Sequence, residues 1–184
     1  MNKVLLTLIS ILFLLSLRCY ADDAKQMYSS MKALEGEWVL SAVDKQEGKA
    51  TKHKLVAPLV GTDAVGMSFK LIGKGSTVQE SILPETKKEM VSMYHCKDAA
   101  CSQVKATHYC VKQNQPELIA DLSSTKDILA YDCDMSTALC QSGQDHVHKI
   151  KHELSGEGNH LKTTYTSWKD GKYLKDSIYH FDRK

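Results

Sequence analysis

Eight histidines and six cysteines hold most of the reactive chemistry in this 184-residue chain. His146, His148 and His152 alternate with Val147, Lys149, Lys151 and Glu153, so an extended strand puts the three rings on one face with Ile150 and Leu154. Neutral imidazoles on an inward face can bind a transition metal or one axial position of haem, whereas structural hydrogen bonds are the plainer expectation. His108 and Cys110 share a face at i and i+2, the pairing of a Cys-His nucleophile, but no orienting third group or oxyanion donor can be read beside them. Asp132, Asp134 and Asp145 lack the spacing of a calcium loop and read as solvated loop carboxylates. No Gly-x-Ser-x-Gly, Walker loop, dinucleotide fingerprint or His-Glu-x-x-His is present, which weighs against the common enzyme classes. No catalytic residue is assigned.

The chain opens with Met1-Asn2-Lys3, an apolar run from Val4 to Leu17, and Cys19-Tyr20-Ala21. That layout is a secretory signal cleaved after Ala21. The apolar run is shorter than the roughly 20 residues of a spanning helix. A lipid-carrying cysteine at position 19 would want small residues where Leu17 and Arg18 stand. The expected mature chain, residues 22–184, is one domain exported to the periplasm or beyond, with no transmembrane segment. Removing Lys3 and Arg18 takes the whole-chain charge of +2 to formal neutrality. Without a basic block or stripe, nucleic acid has no electrostatic footprint to bind.

Five cysteines remain in a chain bound for an oxidising compartment, so at least one is unpaired or intermolecular. Cys96–Cys101 and Cys133–Cys140 are close enough to close hairpin necks, and disulfides are expected there. A zinc site is the rival reading, although it wants tighter cysteine spacing and a reducing compartment. Cys110 is left as the free thiol.

These groups must be positioned by strands. Met27, Met31 and Leu34 recur at helical spacing within residues 24–34. After that the period changes to two, and strands are expected near 36–44, 51–57, 66–72, 76–82, 89–96, 101–111, 117–122, 127–133, 146–154, 160–168 and 172–182. Asp170-Gly171 is the clearest hairpin turn. Many antiparallel strands with one short N-terminal helix imply an all-β, up-and-down barrel of about 8–10 strands, because closure removes exposed edges. If Cys96 and Cys101 share an outward face, His95 lies opposite Ser102 and His108 opposite Glu89. Val91, Met93 and His95 then point inward with Ser102, Val104, Ala106, His108 and Cys110.

Leu34-Glu35-Gly36-Glu37-Trp38 after a helix, followed by a meander, resembles the calycin superfamily of lipocalins and fatty-acid-binding proteins. The resemblance implies that Gly36 and Trp38 plug one barrel end and that Arg183, from the last strand, covers the indole. A guanidinium stacks on indole in a way an ammonium does not. Thr107-His108-Tyr109-Cys110, Asn114-Gln115-Pro116 and Trp168 to Lys172 are similar to a bacterial lipocalin-like family of unknown function. Gln113 in place of a loop glycine and the four hairpin cysteines depart from that pattern. The expected function is to bind a small, largely apolar molecule or lipid inside the barrel, with Met67, Phe69, Val91, Met93, Val104, His108, His146, His148 and Tyr165 lining it. No cofactor is required by that reading. Haem or a transition metal on interior histidines, and a filled barrel acting as an interaction module, are the alternatives.

Overall fold

The computed structural model describes residues 23–121 and 123–184. The expected signal segment lies outside the described residues. A helix, α1 (residues 23–32), leads into ten strands: β1 (Gly36–Leu40), β2 (Val65–Ile72), β3 (Thr77–Ile82), β4 (Met90–Cys96), β5 (Val104–Tyr109), β6 (Glu117–Ala120), β7 (Ile128–Cys133), β8 (His146–Ser155), β9 (His160–Lys169) and β10 (Lys172–Arg183). Every strand pairs antiparallel with its sequence neighbours, and β1 pairs with β10, so the sheet closes into a barrel. A four-residue helical turn, α2 (Ala138–Gln141), joins β7 to β8. Among the described residues no helix is long and apolar enough to cross a membrane.

One end of the barrel is sealed by α1. Its apolar residues Met27 and Met31, with Leu34 just beyond its end, are buried in the same cluster as Trp38. The Trp38 indole donates to Leu34 O at 3.0 Å, and the Arg183 guanidinium lies 4.2 Å from the indole ring centre. Arg183 also donates to Ala33 O and Glu35 O at 3.2 and 3.0 Å. Those carbonyls follow the last helical turn and lack intrahelical partners, so the arginine caps the helix as it covers the tryptophan. Two turns of matching form close hairpins at this end, Gly73-Lys74-Gly75 and Gly156-Glu157-Gly158. Tyr28 of α1 donates to Gly75 O, and Arg183 Nε donates to Gly158 O.

The lumen is packed with side chains. Trp38, Tyr94, Tyr131, Phe181, Met67 and Leu118 have no exposed surface. Glu80, His108 and His152 share that complete burial.

Both expected disulfides are present, Cys96–Cys101 at the helix end and Cys133–Cys140 at the other, with Cys110 free. The Asp170-Gly171 turn has positive φ at both positions, the conformation that matches strand twist in a two-residue hairpin.

Two expectations are corrected. Residues 51–57 form no strand; the 41–64 connection runs through turns and two one-turn 3-10 helices, Val43–Lys45 and Ala57–Leu59, the second containing Pro58. Within it Gln46 takes the place of a ladder partner, accepting from His180 N and donating to His180 O. The β4–β5 register is also three residues away from the expected one, with Ser92 rather than Glu89 opposite His108. Asp98 accounts for the shift: its backbone carbonyl accepts from Cys101 N and its side chain from Ser102 N, and Cys101 adopts φ 51°. The strand therefore restarts only at Val104. A shift by an odd number of residues reverses the faces of one strand. Ser92 and Tyr94 are the buried residues of β4, while Val91, Met93 and His95 are half-buried on the opposite face. Cys101 is buried in the core cluster, so this disulfide is not outside.

Candidate binding site

The alternation Val78, Glu80, Ile82 on β3 puts one carboxylate on an apolar face, inside the closed barrel. Around it converge Tyr94 from β4, His152 from β8 and Tyr165 from β9. Both tyrosine hydroxyls donate to Glu80, and His152 Nε2 stands 3.6 Å from Oε2. His152 Nε2 is 3.1 Å from the Tyr94 hydroxyl, and its Nδ1 is 3.0 Å from Thr163 Oγ1. With the Tyr94 proton committed to Glu80, that phenol oxygen accepts from Nε2–H. Burial pushes the Glu80 carboxyl up, but the hydrogen bonds and charge of His152 with the two phenol donors outweigh it, and its pKa ends below the ordinary value. Burial, then the Glu80 charge, holds Tyr94 and Tyr165 well above the phenol range, so both remain donors. The cluster ties four strands across the lumen and leaves no activated nucleophile.

His108 lies beside it, with its ring centre 5.8 Å from that of Tyr165. Its Nδ1 meets Ser92 Oγ at 3.0 Å, while Nε2 is buried without a partner. Burial lowers its pKa to about 4, against the opposing pull of Glu80, and the ring is neutral at pH 7.

Toward the end away from α1 the lumen opens into a cleft of about 160 Å³. Met90, Val147, Tyr165 and Tyr179 supply apolar walls, with Ser167 and Ser177 among them. Lys88, Lys112 and Lys175 stand at its margin. Lys112 is engaged by Asp145 at 2.5 Å. Among the described residues no carboxylate pairs with Lys88 or Lys175. Partial burial, and then the charge of Lys175, lowers the pKa of Lys88. The exposed large apolar residues Tyr109, Val111, Met135, Tyr173 and Leu174 lie at strand ends or loops on this side, whereas Val43 sits on the β1–β2 connection, whose Lys45 and Gln46 bond Asp182 and His180 of β10.

The nine residues expected to line a ligand site divide into four groups. Tyr165 reaches the cleft, and His108 sits behind it. Met67, Phe69 and Val104 are buried in core packing, Phe69 edge-on to His152 at 5.7 Å. Val91 and Met93 face the other way, for the register reason above. His146 and His148 do not share the inner face with His152, because β8 bulges between Val147 and Lys149. The bulge turns Val147 inward opposite Ser167 and leaves His148 stacked on Trp168, ring centres 3.9 Å apart.

No family model, curated protein or solved structure matches this chain. The closed ten-strand topology by itself is compatible with a lipocalin-like fold. Sequence reading missed Glu80, Tyr94, Ser92 and Thr163. The Val78-x-Glu80-x-Ile82 alternation was the available signal for the first of these, and the rest depended on the correct register.

Proposed function

We propose that this is an exported, lipocalin-like binding protein for a small amphipathic molecule with an anionic head, held at the open mouth and not in the centre of the barrel. The two disulfides support export, since such bonds persist in oxidising compartments. The observation that carries the ligand reading is the pair Lys88 and Lys175, two ammonium groups without carboxylate partners beside the apolar wall of Met90, Val147 and Tyr179. An apolar surface with a few convergent polar groups is the usual composition of a ligand site. At about 160 Å³ the cleft takes a short chain and not a large planar cofactor. The same apolar rim supports a second reading, a docking face for a protein partner.

Calorimetric titration with decanoate and, separately, with decyltrimethylammonium tests the first reading. Decanoate binds, the cationic amphiphile does not, and Lys88→Ala with Lys175→Ala weakens decanoate binding by about tenfold or more. Equal binding of both amphiphiles, or of neither, overturns it.

A further inference from the structure

Beyond the cleft, at the same end of the barrel, His146, His148 and Cys133 bring one donor atom each within 4.8 Å of one another. His146 Nδ1 donates to Gln144 O at 2.7 Å, so its Nε2 presents a lone pair. That lone pair meets His148 Nδ1 at 3.0 Å. Two imidazole nitrogens at roughly 2.0–2.1 Å from a tetrahedral zinc ion stand roughly 3.3 Å apart, so the rings are close to a chelating separation. A backbone carbonyl on the far nitrogen is the usual way a ligating histidine is oriented, and the Trp168 stack fixes the second ring. His146 and Cys133 are buried and His148 is half-buried, which shields the position from bulk water. In the folded protein Cys133 Sγ is bonded to Cys140 Sγ, so neither sulfur can act as a thiolate.

We propose that Cys133, Cys140, His146 and His148 form a redox-gated site for a borderline-soft divalent cation of the zinc class. In the disulfide form only the two imidazoles are available. A dithiol reductant gives two electrons to the Cys133–Cys140 bond and its two protons to the released sulfurs, leaving as its own disulfide. Zinc then displaces those two protons as it binds both thiolates. His148 moves its proton from Nδ1 to Nε2 through solvent, with no net change. The resulting donor set, two sulfurs and two nitrogens, is a closed tetrahedral one. The site does not depend on the amphiphile cleft, since it uses none of the cleft's residues.

Cobalt(II) is the probe, titrated into Cys110→Ser protein so that the free thiol does not contribute. Reduced protein freed of reductant is expected to take one cobalt per chain, with a thiolate-to-cobalt charge-transfer band and quenching of Trp168 fluorescence. The oxidised protein shows no such band. Replacing both His146 and His148 by Ala in the reduced protein weakens binding by at least about tenfold and removes the quenching. If reduction abolishes the near-ultraviolet circular dichroism, recovery on adding Zn²⁺, in the parent but not in the His146→Ala/His148→Ala variant, supports the site. Absence of a charge-transfer band in the reduced protein, a response unchanged by removing the two histidines, or failure of Zn²⁺ to restore a lost fold overturns it.

Discussion

Glu80 is the residue on which the interior depends most. A carboxylate with no exposed surface survives because two phenol donors and the His152 ring converge on it. Removing one member of such a group leaves the others uncompensated. Glu80→Leu is expected to lower unfolding free energy by about 3–5 kcal/mol, and His152→Leu to be similarly costly, while the double variant recovers a large part of the loss. A double-mutant cycle by urea unfolding measures this, and simple additivity of the two losses is the contrary result. His108 gives the pH dependence. Its folded pKa of about 4 lies below the ordinary imidazole value of 6.5, so the unfolded chain binds a proton that the folded one does not. Stability therefore falls as pH drops from 6.5 towards 4 and flattens below, by on the order of 3 kcal/mol. Unfolding at pH 7 and pH 4.5 should show that slope in the parent and lose this component in His108→Gln. The sequence marks His108 by its inward parity on β5, but marks Glu80 only by the apolar Val78 and Ile82 that share its face, and the partners that make a carboxylate tolerable there come from strands distant in sequence.

At the scale of elements, strand positions were legible because turn chemistry and period two coincide along most of the chain. Register was not, because it turned on the side chain of Asp98 and a left-handed Cys101, local features that alternation does not encode. The segment 51–57 misled for a different reason. Lys52 and Lys54, alternating with Thr51, His53 and Leu55, resemble one face of a strand, but β1 and β2 pair with each other and leave no free edge between them. Gly66 on β2 shows how tight that corner is. A Cβ there would meet Leu40 Cγ at 3.0 Å and the Phe181 ring at 3.1 Å. Gly66→Ala is expected to cost about 1–3 kcal/mol, read as a lower denaturation midpoint with unchanged slope. Arg183→Lys tests the seal at the helix end. It keeps the charge but loses the planar stack and two of the contacts to the end of α1, and about 1–2 kcal/mol of stability should go with them. A shift in Trp38 fluorescence should accompany the loss.

For the whole molecule, closure and packing follow from the sequence pattern, whereas the location of the opening does not. The disulfides link residues five and seven positions apart, and each contributes about 2 kcal/mol in the loop-entropy model. Reduction of both should lower unfolding free energy by about 4 kcal/mol, measured by chemical denaturation with and without reductant. Closure is also incomplete in one respect. β10 runs from Lys172 to Arg183, but β1 pairs only with Phe181, Asp182 and Arg183, so, among the described residues, positions 172–179 have β9 on one side and no strand on the other. An unpaired strand edge can template the addition of a second chain, and lysines along it keep such edges apart by repulsion. Lys172 and Lys175 stand there, and Lys175 also faces the cleft. Under the proposed function, one ammonium would both guard against polymerisation and receive the anionic head group. A variant that neutralises it changes colloidal behaviour together with affinity, and an occupied cleft makes the edge more prone to self-association than an empty one.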